Sequence, residues 1–329
     1  MKYEIFGESH GPAIGVVIKE IPAGIMIDMD FVQSEMARRA PGGNNTSTPR
    51  KELDAIEIIS GMFEGETTGA PLCAIIKNSD THSSDYKEIA KKPRPSHSDY
   101  AAWVRYDGKN DYRGGGHFSG RLTAPLVFAG AIAKQCLKMH GICISSSISC
   151  IAGVHNPDQK MIEDLILAAK AEKDSVGGIV SITVDGMKAG VGGPDFGENI
   201  EGEIARSIFS VPAVKGIQFG AGFHFAEMRG SVANDPLRIE DGAIVTSTNH
   251  AGGINGGISN GMPITFDVVL RPTPSIGLEQ DTVDLETMEN TKLTIKGRHD
   301  PCVVLRAMPG LEAATAIAVF DLIQRGGGV

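Results

Sequence analysis

Apolar and polar positions alternate or cluster along the chain with periods that assign most of its elements. The stretch AIGVVIKEI (13–21) is short and β-branched and predicts a strand. DAIEIIS (54–60) alternates apolar with polar, the mark of a half-buried strand, and APLCAIIKN (70–78) predicts another. Further strands are predicted at 142–151, 177–186, 213–223 and 262–272. Helical spacing appears at 30–40, with Asp30 read as N-cap, Arg38 and Arg39 in the last turn and Pro41 as the stop. The segment 121–141 is apolar and alanine-rich on all sides, which predicts a buried helix ending at Gly141. Amphipathic helices are predicted at 158–173, after Pro157 and Asp158, and at 198–210, with a last helix at 312–325. Residues 79–120 show little periodicity, and a loop that long inside a compact domain is usually functional or disordered. Two of the three histidines in glycine- or serine-rich settings, His97 and His117, fall in it and favour function.

The order of these elements lacks the regular strand–helix alternation of a doubly wound sheet, so the pattern predicts a layered α+β fold. IGVVIKEIPAGI and GIVSITVDGMKAGV echo one another, and each leads through an Asp and a Phe toward a helix. The fold expected is therefore a layered β-α-β sandwich with an internal pseudo-two-fold repeat. No linker divides the chain, so residues 1–329 are read as one domain with halves of about 1–150 and 151–329.

Composition narrows the class. The formal charge of −9 argues against a nucleic-acid binder, although arginines cluster at 38–39, 94–121 and 298–306 and permit a local positive pocket. The 41 glycines far exceed the usual ~7% and suggest tight turns or backbone that approaches a ligand closely. Five cysteines without a CxxC pair signal neither a disulfide framework nor a zinc site. No signal-peptide core opens the chain and no apolar run is long enough for a membrane span, so no membrane contact and a cytoplasmic location are expected.

Candidate chemistry lies in the glycine-rich stretches. NHAGGINGGISNGMP (249–263) and RGGGHFSGR (113–121) contain neither GxGxxG nor GK[ST], so the Rossmann and P-loop readings fail. Glycine nevertheless lets successive amides approach an anion. His10 lies in GESHG, His97 two residues before Asp99 in RPSHSDY, and Asp300 closes GRHD. Histidine moves protons near neutral pH, carboxylates accept them, and arginines clamp phosphates and carboxylates in bidentate pairs. These residues suggest a small phosphorylated acid as substrate, with proton transfers at two points. No metal-ligand spacing and no GxSxG elbow appears, so neither a metal-dependent mechanism nor acyl transfer by a serine triad is favoured. The residues alone reach no further than a phosphate- or carboxylate-binding enzyme.

Three stretches resemble the chorismate synthase family: FGESHGPAIGVVIKEIPAG (6–24), RPSHSDY with DYRGGGHFSGRLTA (94–124), and KGRHDPCVVLRAMPGLEAA (296–314). Segments at 38–72, 213–223 and 249–264 match in the same order. The resemblance implies a phosphate lyase that makes chorismate in the shikimate pathway, leading to the aromatic amino acids. The reaction is a 1,4-anti elimination of phosphate from 5-enolpyruvylshikimate 3-phosphate. It requires reduced FMN without net redox, supplied by an external reductant or indirectly by NADPH, and the resemblance implies a homotetramer. It makes His10, His97 and Asp300 catalytic. It makes Arg39, Arg121, Arg298 and Ser9 substrate-binding. It assigns flavin contacts to His117, Phe118, Ser119, Ala213, Gly256, Arg271, Pro272, Thr273, Pro274, Ser275 and Arg298, and it implies no metal.

The chain departs from the family pattern in places. RPSHSD replaces RPGHAD, and His117, Phe118 and Leu122 replace an arginine, a serine and a glutamate. Asn45 stands where an arginine is common, and Pro212 where an asparagine is common. These departures motivate the alternative of a flavin-binding paralogue without lyase activity, and a purely structural or regulatory protein is the third reading.

Overall fold

The structure, a computed structural model, describes residues 1–40, 54–78, 88–193, 195, 197–295 and 300–326. The first half contains β1 (Lys2–Gly7), β2 (Ala13–Lys19), α1 (Met29–Arg39), β3 (Ile56–Ser60), the small hairpin β4 (Met62–Phe63) and β5 (Glu66–Thr67), β6 (Leu72–Lys77), α2 (Asp99–Arg105) and α3 (Thr123–Met139). The second half continues with β7 (Cys143–Ile151), β8 (Val154–His155), α4 (Gln159–Ala171), β9 (Gly178–Asp185), α5 (Ile200–Ile208) and β10 (Val214–Phe219). Then come α6 (Gly230–Ala233), the hairpin β11 (Leu237–Glu240) and β12 (Ala243–Thr246), and the short pair β13 (Ile254–Asn255) and β14 (Ile258–Ser259). The chain finishes with β15 (Ile264–Leu270), the hairpin β16 (Gln280–Asp284) and β17 (Glu289–Leu293), and α7 (Val304–Arg325).

Two antiparallel sheets enclose a helical layer. The first runs β1-β2-β6-β3 and the second β10-β15-β9-β7-β8. Alternation along the central strands turns one face inward: Ile14, Val16 and Ile18 of β2, and Val180, Ile182 and Val184 of β9, are almost wholly buried. Helix α3 packs on β1, β2, β6 and β7, and α7 on β7 and β9. Helices α1 and α5 lie against α7, and α1 also against α3. A helix that is apolar all round belongs inside, and α3 and α7 are: Ala124–Ala133 and Leu311–Phe320 are continuously buried. Their backbones meet at Gly130, where an added Cβ would stand 2.2 Å from Ala313 Cβ.

The two halves lay down the same unit. The path β1–β2–α1–β3–β6–α3 gives sheet order β1-β2-β6-β3, and β7–β9–α5–β10–β15–α7 gives β7-β9-β15-β10. Even the irregularities correspond. The register slips between Ile58 and Ser60 in β3, and between Val214 and Gly216 in the matching β10. In this repeat the second unit opens with β7.

Several boundaries differ from expectation for identifiable reasons. The N-cap of α1 is Asp28, whose carboxylate accepts from Phe31 N at 3.0 Å, while Asp30 sits in the first turn. Strand β10 stops at Phe219 because Gly220 turns left-handed (φ +55°). Helix α7 starts eight residues earlier than expected, at 304 against 312, and runs through Pro309 and Gly310. A proline this near a helix start forfeits one backbone bond, and burial of the flanking residues offsets that loss. Alternation alone did not mark β1, α2 or the hairpins β11–β12 and β16–β17.

Candidate active site

The pseudo-symmetry brings the long connections β6→α3 and β15→α7 to one end of the molecule, over the starts of the two central helices. A cleft of about 790 Å³, counting its open mouth, lies there. The first half lines it with Arg39 at the end of α1, His97 ahead of α2, and Phe118, Gly120 and Thr123 leading into α3. The second half contributes Val211–Ala213 after α5, Arg271 and Thr273–Ser275 after β15, and Asp300, Val303, Arg306 and Ala307 at the start of α7.

His97 is held from behind. Its Nδ1 lies 2.6 Å from Asp99 Oδ1 and 3.1 Å from Arg94 Nη2. Arg94 is buried and spends its Nε and Nη2 on the Asp99 carboxylate at 2.7 and 2.8 Å, while Nη1 donates to Ser275 Oγ at 3.0 Å. Burial, followed by the cation of Arg94, pushes the His97 pKa down against the pull of Asp99. Burial would raise the Asp99 carboxyl, but hydrogen bonds from Arg94 and His97 overcome it and hold the group well below the usual carboxylate range.

Asp300 sits across the cleft. Arg306 Nη1 donates to its Oδ2 at 2.7 Å. Burial nevertheless raises the Asp300 carboxyl above its ordinary value. Arg271 donates to the Ser96 carbonyl and pairs with no carboxylate among the described residues. Two buried polar atoms on this wall, Arg271 Nε and Thr273 Oγ1, have no hydrogen-bond partner there.

His10 lies off the cleft lining, connected to it by the triple glycine. An added Cβ at Gly114 (φ +59°) would stand 2.3 Å from His10 Cε1 and Nδ1 and 2.8 Å from Ser9 Oγ. One at Gly115 (φ +87°) would stand 3.1 Å from His97 Cε1. Consecutive glycines therefore form the floor under both imidazoles, and side chains there would drive them apart. Ser9 N donates to Gly116 O at 3.1 Å, and Ser9 Oγ is buried without a partner among the described residues. Arg39 and Arg121, expected to bind substrate, both donate to the carboxylate of Asp54, and Arg121 Nε also donates to Asn78 Oδ1 at 3.1 Å. All three ion-pair members are almost completely buried.

Among the expected flavin contacts, Phe118, Ala213, Arg271, Thr273, Pro274 and Ser275 line the cleft. His117 instead sets Nδ1 3.1 Å from the Gly7 carbonyl, Ser119 caps the turn into α3 by accepting from Arg121 N, and Pro272 lies beside the wall. Gly256 sits in the β13–β14 turn and does not line the cleft. Arg298 and Asn45 lie outside the described residues. Of the departures, Pro212 and Phe118 line the cleft and Leu122 is buried in the core. Sequence reasoning gave no role to Arg94, Asp99, Asp54 or Arg306. The spacing of Arg94, His97 and Asp99 within one short turn was a usable signal, whereas Asp54 and Arg306 carried none.

Known proteins resemble this chain over nearly its whole length. The family model described as chorismate synthase matches residues 1–324. A chorismate synthase of Dehalococcoides mccartyi is 45% identical over 98% of this chain and 94% of its own length. One of Thermococcus kodakarensis is 44% identical over 99% and 96%. A solved structure titled as a crystal structure of chorismate synthase superposes with a TM-score of 0.77 at 25% identity, covering 99% of this chain and 93% of that one.

Proposed function

Because this chain belongs to the chorismate synthase family of lyases, we propose that its cleft converts 5-enolpyruvylshikimate 3-phosphate to chorismate by 1,4-anti elimination. Phosphate leaves carbon 3 with its bonding electrons, a proton leaves carbon 6, and two double bonds become conjugated. The observation that carries this reading is the gathering of His97, Asp300, Arg39, Arg271 and Arg306 on one cleft at the N-terminal ends of α3 and α7. The starts of both helices border the cleft, and each offers the positive end of its dipole to an anion. The substrate carries a phosphate and two carboxylates, and Arg271 pairs with no carboxylate among the described residues.

Reduced FMN fits the same wall. Arg271 Nε and Thr273 Oγ1 are buried polar atoms awaiting partners, and Val211, Pro212, Ala213, Val303 and Phe118 offer apolar surface for a planar ring. When bound there, reduced FMN supplies an electron-rich ring that assists loss of an allylic phosphate without net redox. Asp300, with its raised proton affinity, is suited to hold a proton between carbon 6 and bulk solvent. His97 borders the same space, and His10 approaches it through Gly114 and Gly115. Arg39 and Arg121 act through Asp54, fixing the floor from which substrate is held.

The reading takes its reduced flavin from an external reductant, or indirectly from NADPH. Among the described residues no helix is long and apolar enough to cross a membrane, in keeping with a proposed cytoplasmic location. The homotetramer that the resemblance implies is part of the reading, and exposed apolar side chains on the β11–β12 hairpin offer a surface for association.

Anaerobic turnover with photoreduced FMN tests the reading. Chorismate should form from 5-enolpyruvylshikimate 3-phosphate at constant flavin oxidation state. Flavin binding without chorismate would instead identify a non-lyase paralogue.

A further inference from the structure

We propose that Asn78 is a positioning residue for His10: its side-chain amide ties the turn that carries Ser9 and His10 to the buried group of Arg121, Asp54 and Arg39.

The sheet itself sets Asn78 beside that turn. Strands β1 and β2 pair as far as Gly7 and Ile14, and residues 8–12 connect them. Within the connection Gly11 N donates to Glu8 O at 3.0 Å, which makes Ser9 and His10 the two central residues of a β-turn. The pairing of β2 with β6 ends at Ala13 and Lys77, and one step further Asn78 N donates to Pro12 O at 3.2 Å. From there the side chain reaches the turn. Asn78 Nδ2 donates to Glu8 O at 3.0 Å and to Gly11 O at 2.8 Å, the carbonyls at the two ends of the turn. Asn78 Oδ1 accepts from Arg121 Nε at 3.1 Å.

These partners leave one orientation of the amide. Carbonyls only accept and a guanidinium only donates, so a reversed amide would set oxygen against two oxygens and its NH2 group against a cation. The position therefore needs a short side chain that donates at one end and accepts at the other, and asparagine is that residue. Aspartate has the same shape and keeps an acceptor for Arg121 but has nothing to donate to the turn. Alanine lacks both functions.

The bonds connect two parts of the site that are far apart in the chain. Arg121 also donates to Asp54, Asp54 accepts from Arg39, and Arg39 lines the cleft. On the turn itself, Ser9 N donates to Gly116 O at 3.1 Å, and Gly114 approaches the His10 ring so closely that it has no room for a Cβ. The glycine segment supports the two residues that Asn78 brackets, so the place of the His10 ring is set jointly by the end of β6 and the residues ahead of α3.

The reactivity of His10 toward diethyl pyrocarbonate, followed residue by residue with peptide mass spectrometry on the full-length protein, tests this. His10 is buried, and the exposed His224 serves as internal reference. His10 should react on the order of 10-fold faster in Asn78→Asp and in Asn78→Ala than in the wild type, as loss of two hydrogen bonds eases local opening, with His224 unchanged. An unchanged His10 rate in either folded variant overturns the proposal; in Asn78→Asp alone it would assign the hold to the Arg121 contact. Equal acceleration at every histidine, the mark of general unfolding, overturns it too, and one folded variant suffices to decide. The catalytic consequence rests on the lyase reading. In Asn78→Asp, which keeps an acceptor for Arg121, kcat should fall on the order of 10- to 10²-fold with KM little changed. Absence of chorismate formation in the wild type would sink that reading, while the modification rates still decide whether Asn78 holds His10.

Discussion

Asp54 shows how one residue serves stability and site together. Its carboxylate takes donors from Arg39 and Arg121, all three buried, and its backbone accepts a left-handed φ of +49° to reach them. Removing one member of a buried ion pair leaves the others uncompensated, at about 3–5 kcal/mol. Asp54→Ala should lose that much in urea unfolding and weaken substrate binding with it; an unchanged midpoint would show that the arginines find other partners. His10→Ala, by contrast, should keep the fold and lower turnover by ~10²–10⁴-fold. Glu312 carries a pH prediction. Burial would raise its carboxyl, but Arg38, Lys134 and Ser146 bring it down to about 2, against an ordinary value of 4.5. A depressed folded-state pKa contributes stability that is complete above the unfolded value and is lost as pH falls toward the folded one. Stability measured by denaturant should therefore decline between pH 4.5 and about 2, and Glu312→Gln should flatten that decline.

Among the elements, the crossing of α3 and α7 is the tightest constraint. Alanine normally stabilises a helix by ~0.5–1 kcal/mol relative to glycine. At Gly130 the added methyl would meet Ala313 Cβ at 2.2 Å, so Gly130→Ala should destabilise by about 1–3 kcal/mol instead, seen as a lower unfolding midpoint. A stabilised variant would mean that the two helices can separate freely. Such separation would also widen the cleft, because the starts of both helices form part of its lining. The periodic elements β2, β6, β7, β9, α3 and α4 were legible in the sequence, since each carries its own period over enough residues. The start of α7 was not legible: Pro309 and Gly310 look like a stop, and only packing on α3 and β7 carries the helix past them.

For the whole molecule, the duplicated unit explains where the site is. Superposing the same path twice around one helical layer brings equivalent connections to the same end, so both halves must fold before any site exists. The β11–β12 hairpin stands apart from this core. Leu237, Ile239 and Ile244 are about three-quarters exposed, and Ile239 pairs directly with Ile244, so their apolar side chains share one face. An exposed apolar face of this kind marks an association surface. If this face joins copies of the chain, Leu237→Lys with Ile239→Lys should lower the sedimentation mass while leaving the fold intact by circular dichroism; an unchanged mass would place the contacts elsewhere.

Period and local turn chemistry act over a few residues, and they were enough to read the layered α+β architecture, the two echoing strand–helix units and the histidine and aspartate motifs. How those motifs act on one another was set by the folded arrangement. It set Arg94 and Asp99 behind His97, turned Arg39 and Arg121 onto Asp54, and put Gly256 away from the cleft. Contacts between residues far apart in the chain depend on how two sheets close over one layer of helices, and no local pattern encodes that closure.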